Sequence, residues 1–218
     1  MRRLSFLDND SKFGQICTWT GTIIAANLLF IVTLIPIVTA GAGLCALYYT
    51  MLKLVRYKEV NPFRVFIRGF RENFKTATLA WVLLLLFGLF LAADLRICSF
   101  MSGMLHGCVY VIYAAGIAAG VIALYLFPVM ASFRGGLFAS VRNSMFFAGK
   151  NFLYVLIIAC VTTVPMFMTY VHADMLPLYA FLWCLFGFAL TAFCNSLLLM
   201  RLFAPHLTTD TRPSYQSD

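Results

Sequence analysis

Charge is what this sequence has least of. Only 11% of its 218 residues are charged, against about 25% in a soluble globular domain. No charged side chain falls between Lys12 and Lys53, or from Thr76 to Ala93. Apolar runs of that length exclude an ordinary water-soluble fold and imply a polytopic membrane protein. Acids are scarcest: Asp8, Asp10, Glu59, Glu72, Asp94, Asp174, Asp210 and Asp218 are all there are, and none lies in the middle of an apolar run. Proton- and ion-coupled carriers usually hold an ionisable group there, so an energised transporter working alone is disfavoured. A passive pore stays open. The seven cysteines make no C-x-x-C pair and no ligand spacing, and inside apolar runs a thiol behaves as a small hydrophobe. Cys98 and Cys108 share an expected outer loop, where they can pair. H-E-x-x-H, G-x-S-x-G and phosphate-loop motifs are missing. No catalytic residue, cofactor site or metal site is therefore assigned, and the chain is read as not an enzyme.

What is present is hydrophobic: 62% of residues, with a mean hydropathy of +0.91. Apolar runs cover roughly Ile16–Pro36, Ala42–Val55, Thr76–Ala93, Cys108–Ala131, Asn151–Tyr170 and Leu176–Leu199. The expected fold is all-α: one transmembrane helix bundle of about six spans over residues 1–218, with a polar cytoplasmic tail from about residue 202. Pro36–Gly43 reads as a turn, because proline and three small residues end a helix. The second run is short for a span of about 20 residues, and a re-entrant half-helix is the alternative. Charge parity favours a return crossing, since Arg2, Arg3 and Lys12 precede the first run and Lys53–Lys75 follows the second. The amino-terminal end resembles a signal n-region, but the run Ile16–Val38 is longer than an h-region and reads as a signal anchor. With both basic ends cytoplasmic, as the positive-inside rule requires, only Arg96 of the sixteen Lys and Arg lies outside.

Seven cations stand between Lys53 and Lys75. In Asn61–Lys75, Arg64, Arg68, Arg71 and Lys75 follow helical spacing, with Phe63, Phe66, Ile67, Phe70 and Phe74 on the neighbouring arc. Asn61 suits an N-cap and Pro62 the first helical position. Such a helix is expected to lie flat in the interface. A second, weaker interfacial helix is expected over Gly135–Lys150, from Arg134, Arg142 and Lys150 with Leu137, Phe138, Val141 and Met145. Together they would form a positive inner platform for anionic lipid, at about 1 kcal/mol per cation. A docking surface for transporter subunits is the sharper alternative. The net charge of +8 needs no nucleic acid, because the cations flank apolar spans.

Asn27 and Asn195 are polar groups within spans, suited to helix–helix hydrogen bonds or, with Thr162 and Thr163, to a pore lining. Gly116 and Gly120 form a small-xxx-small face permitting close helix approach. Pro165 is an expected kink, and Trp19 an interfacial indole. Asp94, Arg96, His106, His172 and Asp174 gather on the outer face. A faint parallel repeat offsets Ala46-Leu47-Tyr48 to Ala123-Leu124-Tyr125. At the same offset of about 77–78 residues, Arg56, Arg64 and Asn73-Phe74 recur as Arg134, Arg142 and Asn151-Phe152.

Trp19, Asn27, Pro36-Ile-Val-Thr39, Gly41, Ala46-Leu47-Tyr48-Tyr49, Arg56, Phe66 and Phe70-Arg-Glu-Asn73-Phe74 resemble the YesL-like family of bacterial integral membrane proteins, over about residues 15–80. The resemblance supplies no catalytic residues. It implies an inner-membrane, non-enzymatic accessory role in oligosaccharide uptake, in association with a carbohydrate transporter. A small-solute channel is the alternative. A membrane enzyme built on His106, His172 and Asp174 is a third reading. The threading itself is testable: Val60→Cys in a cysteine-free chain should resist an impermeant maleimide on intact cells and label after lysis.

Overall fold

The computed structural model describes residues 12–99, 107–133 and 135–203, with backbone alone at 12, 13, 99, 108 and 173. Arg134 and His106 lie outside the described residues. So do the amino-terminal basic pair and the tail from 204. Among the described residues the fold is helical, with no strand: α1 (Lys12–Leu34), α2 (Ala40–Tyr57), α3 (Pro62–Ser99), α4 (Cys108–Ser132), α5 (Leu137–Lys150), α6 (Phe152–Val171), α7 (Leu176–Leu182) and α8 (Phe188–Phe203). Six helical stretches are long and apolar enough to cross a membrane. Helices satisfy their backbone groups internally, which hydrocarbon demands. The chain is an all-α bundle of membrane type.

The turn between α1 and α2 is tighter than Pro36–Gly43. It ends at Thr39 in a 3-10 turn over Ile37–Thr39, and Ala40-Gly41-Ala42-Gly43 form the first turn of α2. These small residues are there for packing. A Cβ on Gly41 would meet the Ala77 carbonyl at 2.6 Å and the Trp81 Cβ closer still, and one on Gly43 would run into Thr33. Small side chains let backbones approach where lipid supplies no hydrophobic drive between helices. The second run is thereby lengthened into a 21-residue stretch, Ile37–Tyr57, long enough to cross. It is also the most enclosed helix, with Cys45, Ala46, Leu47, Met51 and Leu54 fully buried, and it packs on α1, α3, α4 and α8.

The basic stretch does not form a separate helix lying flat. Asn61 does cap it, accepting a bond from the Arg64 N–H at 3.3 Å. From Pro62, however, one helix of 38 residues runs unbroken to Ser99. At 1.5 Å per residue it is about 57 Å long, against a hydrocarbon core of about 30 Å. Nothing at Lys75-Thr76 breaks it, since neither glycine nor proline stands there. Its first half lies along α2, with Gly69 against Tyr49 and Ala77 against Gly41. Its second half lies along α4, with Trp81 against Phe127 and Leu91 near Gly116. The aromatic arc divides accordingly. Val65 and Phe66 are buried, while Phe63, Ile67 and Phe74 are exposed.

In the second half of the chain the corresponding segment stays separate. α5 is a 14-residue helix with Ser140, Ser144, Phe147 and Ala148 buried, and Asn151, at φ −133 and ψ 62, divides it from α6. The two segments matched by the faint repeat therefore differ: the first is one continuous helix and the second is two. Asn73 and Asn151 still make the same bond, to the carbonyl four residues back, at 3.1 and 3.4 Å. α4 and α6 continue through Pro128 and Pro165.

Substituting Gly41 by alanine should cost about 1–3 kcal/mol, as overpacking does, because a backbone carbonyl cannot move aside. Gly120→Ala should be silent, since nothing lies within 4 Å of its Cβ position. Thermal unfolding of the two variants in detergent checks the contrast.

Candidate functional site: buried polar pins and the surfaces left open

Helix breaks expose backbone groups, and three of the breaks here are met by side chains from another part of the fold. After Tyr57 the chain turns through Lys58, at φ 64, a left-handed conformation uncommon in a non-glycine residue. The Lys58 carbonyl accepts the Trp19 Nε1–H at 2.8 Å. At the other end of the hairpin the Ile37 carbonyl accepts the Trp81 Nε1–H at 2.9 Å. The Thr39 hydroxyl closes on the Thr33 and Pro36 carbonyls at 2.8 and 2.9 Å. Trp19 and Trp81 therefore pin the α1–α2 hairpin at its two ends.

The last span is not a plain α-helix. Between α7 and α8, Trp183–Gly187 forms a π-helical turn, which sequence reasoning missed. Asn27, fully buried, serves it. Its Nδ2 donates to the carbonyls of Trp183 and Cys184 at 3.0 and 2.8 Å, and its Oδ1 accepts the Ala189 N–H at 2.9 Å. Eight residues below the π turn, Asn195 is also fully buried. It donates to the Tyr48 hydroxyl at 3.3 Å and to Thr162 Oγ1 at 3.0 Å, tying α2, α6 and α8 together. Among the described residues its Oδ1 has no partner. The Thr162 hydroxyl donates in turn to the Ile158 carbonyl at 2.8 Å.

These groups do not line one path. Asn27 faces the π turn, Asn195 and Thr162 face Tyr48, and Thr163 points outward, exposed. Of the polar set considered for a pore, Asn27, Asn195 and Thr162 make bonds between helices.

Gly116 and Gly120 pack no helix of this chain closely. Gly116 has only Leu91 in ordinary contact, at 3.8 Å, and Gly120 has nothing. They border an open apolar groove of about 580 Å³ between α3 and α4, lined also by Gly88, Leu91, Ala119 and Ala123. The close glycine approaches between helices are at Gly41, Gly43 and Gly69 instead.

Arg64, Arg68, Arg71, Lys75, Arg142 and Lys150 are exposed. They are not equivalent. Arg68 is bound to Glu72 one turn on, at 2.8 Å, which cancels its charge locally. Lys150 lies over the Phe146 ring. On the opposite face His172 and Asp174 are exposed, and among the described residues no trio of His, Cys, Asp or Glu comes together. Cys98 is a free thiol, and the Cys108 side chain lies outside the described residues.

An all-α architecture with six membrane-length stretches, closed by buried polar pins, defines a polytopic helical membrane protein. A family model described as a protein of unknown function, DUF624, matches residues 23–95, about a third of the chain. That region holds most of α1, all of α2 and most of α3, with Asn27, Gly41, Tyr48 and Trp81. No curated protein and no solved structure matches.

The Asn195 cluster sets a graded expectation. Tyr48→Phe removes one interhelical bond and should cost about 0.6 kcal/mol. Asn195→Ala removes two bonds and leaves space, so it should cost clearly more. A smaller loss for Asn195→Ala than for Tyr48→Phe in thermal unfolding would contradict the assignment.

Proposed function

We propose that the protein is a non-enzymatic accessory subunit of oligosaccharide uptake in a bacterial inner membrane. It would act by associating with a carbohydrate transporter. The YesL-like resemblance of Trp19, Pro36–Thr39, Ala46–Tyr49 and Phe70–Phe74 motivates the role. One structural observation carries it further: Asn27 and the Asn195 amide N–H, with Thr162 as its acceptor, are committed to bonds between helices, whereas the open groove and the cations are on the outside. A protein so arranged works through its surfaces rather than through a polar interior.

In this reading both termini and the basic end face the cytoplasm, as the positive-inside rule favours. Arg64, Arg71, Lys75 and Arg142 meet anionic lipid and the transporter's inner portion. The groove between α3 and α4 offers a lipid-facing contact for a membrane subunit. The channel alternative loses its motivation with the pore-lining set dispersed.

Affinity purification from the native host in mild detergent is the decisive measurement. Transporter membrane subunits should co-elute with the wild-type chain. Their recovery should fall severalfold when Arg64, Arg71 and Lys75 are changed together to glutamate. Reproducible recovery of the chain alone would overturn the proposal.

A further inference from the structure

A π-helical turn inside a membrane span leaves backbone groups off the α-helical ladder, where no water can reach them. In an uninterrupted α-helix the carbonyls of Trp183, Cys184 and Leu185 would accept from the N–H groups of Gly187, Phe188 and Ala189. Here two of those carbonyls and one of those N–H groups are taken by a single carboxamide, that of Asn27. The amide stands in the ladder where an extra peptide unit would stand. Two neighbours fit the same arrangement. Gly187 lies so near the Trp183 ring that a Cβ there would approach its Cε3 to 2.6 Å. The Trp183 Nε1–H donates to Thr169 Oγ1 on α6 at 2.9 Å, which holds the helix beyond the π turn in one rotational setting.

We propose that Asn27 is a register lock for the last span. With the amide engaged, Trp183–Gly187 holds one residue more than α geometry allows. With the amide withdrawn, the turn closes to α geometry. Leu176–Leu182 then rotates by about 100° and shifts by about 1.5 Å relative to Phe188–Phe203. The two settings are discrete, as switching elements in packed interiors are. The lock is uncharged, so its trigger is mechanical. α1 carries Asn27 between the Trp19–Lys58 pin and the turn held by Trp81, so a displacement of the hairpin at its basic end pulls on the π turn. Asn27 is on this account a positioning residue that couples the basic end to the far end of the last span.

The test uses the full chain in nanodiscs, with two readouts. One is the melting temperature. The other is bridging of Thr169→Cys to Trp183→Cys by a short bifunctional maleimide in a cysteine-free background. Asn27→Ala should lower the melting temperature by about 5 °C or more and reduce the bridged product severalfold. Deleting Leu185 removes the extra residue, so α geometry then keeps the outer part in its original setting. In that background Asn27→Ala should have little effect on either readout. If Asn27→Ala alone gives no folded protein, recovery of folded protein on deleting Leu185 supports the lock, and failure of the double variant overturns it. An equal effect of Asn27→Ala with and without the deletion, or an unchanged bridging yield, also overturns it.

Discussion

Hydrocarbon offers a backbone amide nothing to bond to, and this fold is organised around meeting that deficit. An unpaired peptide group in the bilayer core costs several kcal/mol, so a membrane helix can stop, turn or widen only where another group is waiting. Among the places where the ladder opens are the left-handed residue after α2, the turn before it and the π turn in the last span. Trp19, Trp81 with Thr39, and Asn27 meet them respectively. Three of these four bind across large sequence separations. The irregularities therefore double as tertiary joints, and the hairpin is fixed at both ends by indoles whose rings also pack, Trp19 on Phe193 and Trp81 on Phe127.

The second constraint is closeness. Lipid tails are as apolar as leucine, so helices gain by fitting rather than by leaving water. α2 fits because it has no side chain at Gly41, where α3 approaches, or at Gly43, where α1 does. It takes the centre of the bundle although it is the least apolar of the six stretches, with a mean hydropathy of 1.4. α3 lies at the other extreme. Its length exceeds one hydrocarbon thickness, and it serves two partners in turn, α2 and then α4. The groove beside Gly116 and Gly120 exists because α4 meets α3 at Trp81 and leaves its glycines uncovered farther along.

On the proposed reading, the molecule meets its partner through its periphery. Asn27 and the Asn195 amide N–H are tied to other helices, and a cluster of cations stands at the first end of α3, with Arg142 and Lys150 on α5. Between them the hairpin, held by Trp19 and Trp81, is the natural transmitter. It carries Asn27 into the last span and Tyr48 into the Asn195 cluster.

Composition and spacing alone determined the class, the number of long apolar stretches and the cap at Asn61. Each depends on residues near in sequence and on the exclusion of charge from hydrocarbon. The amphipathic pattern of Asn61–Lys75 was equally legible, but whether that helix would stop at Lys75 was not, because no local signal separates a flat helix from the foot of a long one. Glycines read as a turn became the tightest packing surface of α2, and glycines read as a packing face stayed open, since a glycine's role is set by what approaches it. The π turn left no mark in the sequence around Trp183. Its stability comes from Asn27, 156 residues away, and only the folded chain brings the two together.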